Sequence, residues 1–330
     1  MNERKHKEME KLTYPKDRSV YPIPENEAQL PSVTAELFAK IPMDDVKPGL
    51  NILEGICFDR KGDMYLVDCP MGRIYKVDMP GGSVHLFRQL PEHMAPSAIK
   101  IHKDGRIFAT VAASDHGSMI IVLDPETGEI TKRIWENNGH MIDDMVFDQK
   151  GGFYCSDLAG TAADPCAGIF YVAPDEETVH EVIPRGMAAT NGIGLSLDGR
   201  NLYVTEFSRA LLHRIGLSED GLSPAPCESN VLYHFTGYEG PDSLCMDRDE
   251  NLYVAMCSQG RFLAFNHYGV PIGQILIPGR EKGRMLKSTH IQIRPGTKEA
   301  YMCTADMETG ESAIYRAEVF AEPFPSYQYQ

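Results

Sequence analysis

The 330-residue chain has no C-x-x-C pair, no apolar run approaching 18 residues, one tryptophan and a deficit of basic side chains. Each absence removes a class of protein. Eight cysteines without that spacing exclude zinc-ribbon and thioredoxin-type sites. Most of them sit in apolar strand-like runs (ICF at Cys57, LCM at Cys245, YMC at Cys303), as buried reduced thiols do. Without about 18 consecutive apolar residues, no membrane span is expected. The N-terminal MNERKHKEMEK has no apolar stretch behind its charges, so no secretory signal is expected and the cytoplasm is the expected compartment. With 32 Lys and Arg against 47 Asp and Glu, net charge −15, the chain lacks the basic footprint of sequence-independent nucleic-acid binding. Its 42% apolar residues do suffice for a large globular core.

What is there is a repeat. Six segments combine a short apolar run, a polar turn rich in Asp and Gly, and a run with an aromatic: EGICFDRKGDMYLVD from Glu54, SAIKIHKDGRIFATV from Ser97, DDMVFDQKGGFYCSD from Asp143, NGIGLSLDGRNLYVTE from Asn191, DSLCMDRDENLYVAM from Asp242 and THIQIRPGTKEAYMCT from Thr289. The aromatic column (Tyr65, Phe108, Tyr154, Tyr203, Tyr253, Tyr301) recurs at spacings of 43, 46, 49, 50 and 48 residues. Alternation and β-branched enrichment make these strands, and the Asp/Gly turns make them hairpins. Such units have the dimension of propeller blades, so the expected fold is an all-β, six-bladed β-propeller. The last unit lacks a fourth strand, while SVTAELFAKI (32–41) stands unassigned before the first. Pairing the two closes the ring and removes two exposed edges. The expected organisation is an extended, proline-bearing arm over 1–30 and one propeller domain over 31–330.

Innermost strands of a propeller line its channel, so one position per unit forms a ring. Counting back eleven residues from the aromatic, or twelve in units four and six, gives Glu54, Ser97, Asp143, Asn191, Asp242 and Thr289. Every member carries a side-chain oxygen where a core position would be aliphatic, and Ser243 adds another. Three converging carboxylates repel and raise one another's pKa unless a cation joins them. The all-oxygen set suits a hard divalent ion, Ca²⁺ first, then Mg²⁺ or Mn²⁺; a water-filled polar channel is the bland alternative. Asp247-x-Asp249-x-Asn251 imitates the start of an EF-hand loop, but Ser258 stands at the twelfth position and the segment is a hairpin turn of the repeat. Gly192-x-Gly194 lacks the third glycine of a dinucleotide fingerprint, and G-x-S-x-G and H-E-x-x-H are missing. Of eleven histidines only His290, beside Thr289, falls near the ring.

The segments L-E-G-I-C-F-D, T-N-G-I and E-G-P-D-S resemble the SMP-30/gluconolactonase/luciferin-regenerating family of six-bladed calcium propellers. AIKIHKDGR, IDDMVFD, KGGFY, TGYEGPDS, NLYVAM and GQILIPGR are similar to its calcium-dependent lactonase branch, over roughly residue 22 to the C-terminus. The resemblance implies a catalytic Ca²⁺ held by Glu54, Asp143, Asn191, Asp242 and Ser243, with Asp242 as proton donor. It also implies a second, structural calcium in that branch, whose matching segments here contain Asp115, Gly117, Glu136, Asn138 and His140. The stretch before I-D-D-M departs from the branch in length and composition, which weakens that second assignment.

The expected activity is therefore hydrolysis of a small lactone, with Asp143 and Asp242 as the acid/base pair. Two rivals share the site: another metal-assisted hydrolase or lyase acting on a phosphotriester or sugar-acid-like ligand, and a non-catalytic calcium-binding propeller. The surrounding loops (112–118, 158–166, 207–212, 236–240) carry few charges, namely Asp115, Asp164, Arg209 and Glu239, which disfavours a highly charged substrate. The expected partner is a small-molecule lactone, with no nucleic acid and no membrane; oligomeric state is not legible in the sequence.

Overall fold

The computed structural model describes residues 22–42, 48–113, 117–136 and 138–329. Six antiparallel sheets follow one another along the chain, and their innermost strands are Leu53–Phe58, Met94–Ile101, Ile142–Phe147, Thr190–Leu195, Pro241–Met246 and Lys287–Ile293. Each of these packs against the inner strands of the blades before and after it, the sixth against the first, so the sheets form a closed six-bladed propeller. The turn chemistry is visible in the hydrogen bonds. Asp59, Asp148 and Asp247 each accept, on Oδ1, the backbone N–H groups two and four residues on. Asp247 is thereby accounted for as a hairpin residue. The whole aromatic column is buried. The core lies between blades in six clusters, such as Tyr65, Val67 and Ile74 of blade one against Ile99, Ile107 and Ile121 of blade two.

The segment 32–41 closes the ring and does one thing more. Glu36–Lys40 pairs antiparallel with Ser312–Glu318 as the outer strand of blade six, as expected. Ser32–Thr34 pairs parallel with Pro271–Leu276, giving blade five a fifth strand. Of the expected N-terminal arm, residues 1–21 lie outside the described residues, while 25–28 form a helical turn docked on blade five. Glu27 is buried there, 2.6 Å from Arg261 Nη1 and accepting a 2.6 Å hydrogen bond from Tyr233 Oη. Among the described residues no helix is long and apolar enough to cross a membrane. Five cysteines are buried (57, 155, 245, 257, 303), whereas Cys69 and Cys166 are partly exposed and Cys227 is exposed; all eight are free.

One irregularity repeats in all six blades. Where the inner strand pairs with its neighbour, it inserts one residue too many: between Glu54 and Cys57, Pro96 and Ala98, Ile142 and Met145, Thr190 and Ile193, Pro241 and Leu244, and Ser288 and Ile291. Such a bulge bends the strand and re-aims its side chains. At two of these bulges the next blade approaches so closely that only glycine fits. A Cβ on Gly55 would lie 2.9 Å from Ala98 Cα, and one on Gly192 would lie 2.6 Å from Leu244 N. Gly55 also has φ +63°. Substituting Gly55→Ala should therefore cost about 3 kcal/mol in urea denaturation, adding overpacking to left-handed strain. Gly105→Ala, with φ +94° but open space around it, should lose only about 1 kcal/mol. Equal losses would mean that inter-blade contact is not what these bulges require.

Candidate metal centre and active site

The bulges bring Glu54, Asp143, Asn191, Asp242 and Ser243 to the channel end where the inner strands begin. Asn191, Asp242 and Ser243 are buried, and Glu54 and Asp143 nearly so. The other two ring members are engaged by backbone oxygens, and Ser97 also hydrogen-bonds the Asp143 carboxylate. Ser97 Oγ donates to the backbone oxygen of Asp143 at 3.1 Å, and Thr289 Oγ1 to that of Leu53 at 2.6 Å. Blades two and four add a hydroxyl from their second strands. Thr110 Oγ1 reaches Asp143 O at 2.5 Å and accepts from Ala98 N; Thr205 Oγ1 reaches Asp242 O at 2.7 Å and accepts from Gly192 N. Hydroxyls of the even blades thus pin the backbone from which the odd blades present their carboxylates.

These acids crowd one another. Burial, then the charges of Asp242, Asp143 and Asp144, push the Glu54 carboxyl well above its usual range. Burial, then Asp242 and Asp144, do the same to Asp143. Burial lifts Asp242 to about 7 against the pull of Lys287 and of hydrogen bonds from Cys257 and Asn191. The Cys69 thiol at the mouth is kept protonated by burial and by the fields of the same three acids.

Two lysines that sequence reasoning missed offset this charge. Lys100 Nζ stands 3.0 Å from Asp144 Oδ1. Lys287 lies beside Asp242 and 3.3 Å from Glu239 Oε2, a carboxylate that also accepts from Ser258 Oγ. A signal for Lys287 existed. The residues two before each ring member are Ile52, Ala95, Met141, Ala189, Gly240 and Lys287, one cation on an otherwise apolar rim. His290 is buried, its Nδ1 3.7 Å from Glu54 Oε2 and without a hydrogen-bond partner, and burial holds its imidazole neutral.

Among the described residues no three His, Cys, Asp or Glu side chains stand close enough together to hold a metal ion as they are placed. The donors nevertheless fit a hard cation. Their atoms are oxygens, the carboxylates destabilise one another, and the buried Asn191 Oδ1 accepts no hydrogen bond. A buried acceptor beside three acids is satisfied by a cation or by a water, and the three converging acids favour the cation. The second candidate site is less open. Asp115 lies outside the described residues, and Glu136 is exposed. Gly117, Asn138 and His140 are brought together, but Asn138 Oδ1 already accepts from Ser118 Oγ and from the backbone N–H groups of Ser118 and His140. His140 Nδ1 pairs with the buried Asp157 at 3.0 Å.

A closed six-bladed propeller with an oxygen-lined channel mouth defines the class. The chain belongs to the SMP-30/gluconolactonase/LRE-like family, whose model matches residues 49–286. It is 45% identical over 326 residues to a protein of Staphylococcus haemolyticus named Lactonase drp35, covering 97% of this chain and 98% of that one. A Lactonase drp35 of Staphylococcus aureus (strain bovine RF122 / ET3-1) is 45% identical over 319 residues, 96% of each chain. Among solved structures, the calcium-binding protein regucalcin of Agrobacterium tumefaciens superposes with a TM-score of 0.67 at 18% identity, covering 90% of this chain and 99% of that one; this likeness shows the fold.

The raised carboxyls give a pH signature. Asp242 titrates near 7 folded and near 4 unfolded, so the folded state binds the extra proton in that interval and stability falls as pH rises. His290 works in the opposite sense below about 6.5, so the loss should be clearest above that value. Chelated protein should therefore lose Tm between about pH 6.5 and 7.5. Added Ca²⁺ should raise Tm more at about pH 8 than at about pH 5.5, where protons compete for the carboxylates. A Ca²⁺ increment independent of pH, measured by scanning calorimetry, would remove these acids from the metal site.

Proposed function

We propose that this chain hydrolyses the ester bond of a small lactone at a Ca²⁺ site formed by Glu54, Asp143, Asn191, Asp242 and Ser243. The observation that carries the proposal is the set of three buried carboxyls, all raised above their ordinary range, and one unpartnered amide oxygen at a single channel mouth. Near-full-length similarity to proteins named lactonase supports the choice of reaction. When bound, the ion supplies Lewis-acid polarisation of the ester carbonyl.

The chain's own residues supply proton transfer and placement. Asp143, at the mouth beside Asp242, takes a proton from the attacking water. Asp242, beside Asp143 at the same mouth and hydrogen-bonded by Asn191, returns a proton to the departing ring oxygen. The water oxygen bonds to the acyl carbon and the acyl C–O bond opens. One proton leaves the water and one reaches the alkoxide, giving a hydroxy acid that ionises in solution. Asn191 and Lys287 hold the Asp242 side chain, the first by a hydrogen bond and the second by its charge. The sparse fixed charge of the rim suits a neutral substrate.

The test is proton release by purified protein from γ-, δ- and aromatic lactones, before and after chelation and Ca²⁺ readdition. Turnover should vanish with chelator and return with Ca²⁺. Asp242→Ala and Glu54→Ala should each lose at least about 10²-fold in kcat while keeping the wild-type circular dichroism spectrum. Near wild-type turnover in either variant at saturating Ca²⁺ would refute the site assignment.

A further inference from the structure

The channel has a second end. Below the carboxylate layer lies a cavity of about 410 Å³, walled by the ends of all six inner strands through Phe58, Ile101, Val146, Leu195, Met246 and Ile293. The C-terminal segment 322–329 forms its floor. That segment is fastened by Arg248 N to Glu322 O (2.8 Å), Gln328 Nε2 to Phe58 O (2.6 Å), Tyr329 Oη to Phe58 O (2.9 Å) and Arg60 Nε to Gln328 O (2.9 Å). Its roof is His290 and Lys100, the residues that face Glu54 and Asp144 on the other side.

Close-packed interiors leave voids little larger than a water molecule, so this volume is not packing slack. It falls instead in the range of small-molecule sites. The strand-end side chains give the cavity an apolar face, while Lys100, Gln292 and Gln328 give it a polar one, so an apolar body with a single polar group matches both. One polar atom on a buried side chain of the lining lacks a hydrogen-bond partner, Gln328 Oε1, whereas the unpartnered His290 Nδ1 faces Glu54 on the far side of the roof. Gln328 is 5% exposed, and its amide nitrogen is already committed to Phe58 O, so its free oxygen calls for a donor. Charge narrows the occupant further. Arg248 and Glu322 of the lining pair with each other at 3.5 Å and Lys100 pairs with Asp144 at 3.0 Å, so the charges of the lining are already matched and a neutral occupant fits best.

We propose that this lower cavity is a binding site, separate from the carboxylate mouth, for a small neutral molecule with an apolar body and one hydroxyl or N–H donor directed to Gln328 Oε1. The site stands on the cavity and the unpartnered Gln328 Oε1 and does not depend on the lactonase reading.

Titration calorimetry of the full chain with three probes tests it: p-cresol, toluene, which lacks the donor, and p-toluate, which is anionic. Saturable 1:1 binding of p-cresol is expected, with toluene at least about fivefold weaker and p-toluate showing no binding heat. Val146→Trp, or Leu195→Phe should the first variant unfold, fills the space and should abolish p-cresol binding. Gln328→Leu should bring p-cresol and toluene to equal affinity. Absence of saturable p-cresol binding, its survival in the filled variant, or toluene binding as tightly as p-cresol in the unmodified chain would each overturn the proposal.

Discussion

The extra residue that every inner strand inserts against its neighbour is the constraint on which the rest of the structure depends. A regular strand alternates its side chains between two faces, both of which are buried here between blades. Such a strand has no direction left in which to offer a polar group to the channel. The bulge supplies that direction by taking a residue out of the pairing and turning it toward the axis. Repeated at one height around the ring, it converts six separate irregularities into one polar layer. It also frees backbone groups from the ladder, and those need partners. Thr110, Ser156 and Thr205 give hydroxyl acceptors to the bulge amides of Ala98, Asp144 and Gly192.

Crowding three acids opposes folding unless something offsets it, and the offsets are unevenly arranged. Lys100 lies beneath the layer with Asp144, while Lys287 stands at the rim with Glu239 and Asp242. The carboxylates themselves are left short of compensation, so their carboxyls stay raised. A site intended only for stability would have paired them fully. Groups pushed this far from their ordinary range, gathered at one mouth, are how a protein keeps proton donors and acceptors ready near neutral pH.

Much of this was legible in the sequence because the repeat supplies its own alignment. Counting back from an aromatic that is always buried identified Glu54, Asp143, Asn191 and Asp242 without any knowledge of the bulge. The bulge sits at the same count in every unit, so its effect cancels. What the count could not separate was members with oxygens left open toward the mouth from members committed to backbone. Ser97 and Thr289 occupy equivalent positions, yet their short hydroxyls reach backbone carbonyls of the next blade and are used there. Thr110 and Thr205 escaped notice because they lie on second strands, where a threonine reads as an ordinary β-former. The division of 32–41 between two blades was hidden for a related reason. Strand-forming residues run through the whole segment, and only the position of Pro271–Leu276 in space gives its first part a partner.

The E-G and N-G dipeptides show why motif and mechanism are hard to separate in this fold. Glu54 and Asn191 bring side-chain oxygens to the candidate site, but the glycine after each is required by the neighbouring blade, whose backbone lies where a Cβ would be. A bulge that turns a side chain inward also presses its own backbone outward against the next inner strand. The polar residue and the glycine are therefore two consequences of one displacement. Asp242 is followed instead by Ser243, and Asp143 by Asp144, so at those bulges the geometry admits a side chain. The space conceded there is taken by Ser243 beside Asp242, and by Asp144, the partner of Lys100. The asymmetry of the site thus follows from which bulges are crowded by their neighbours and which are not.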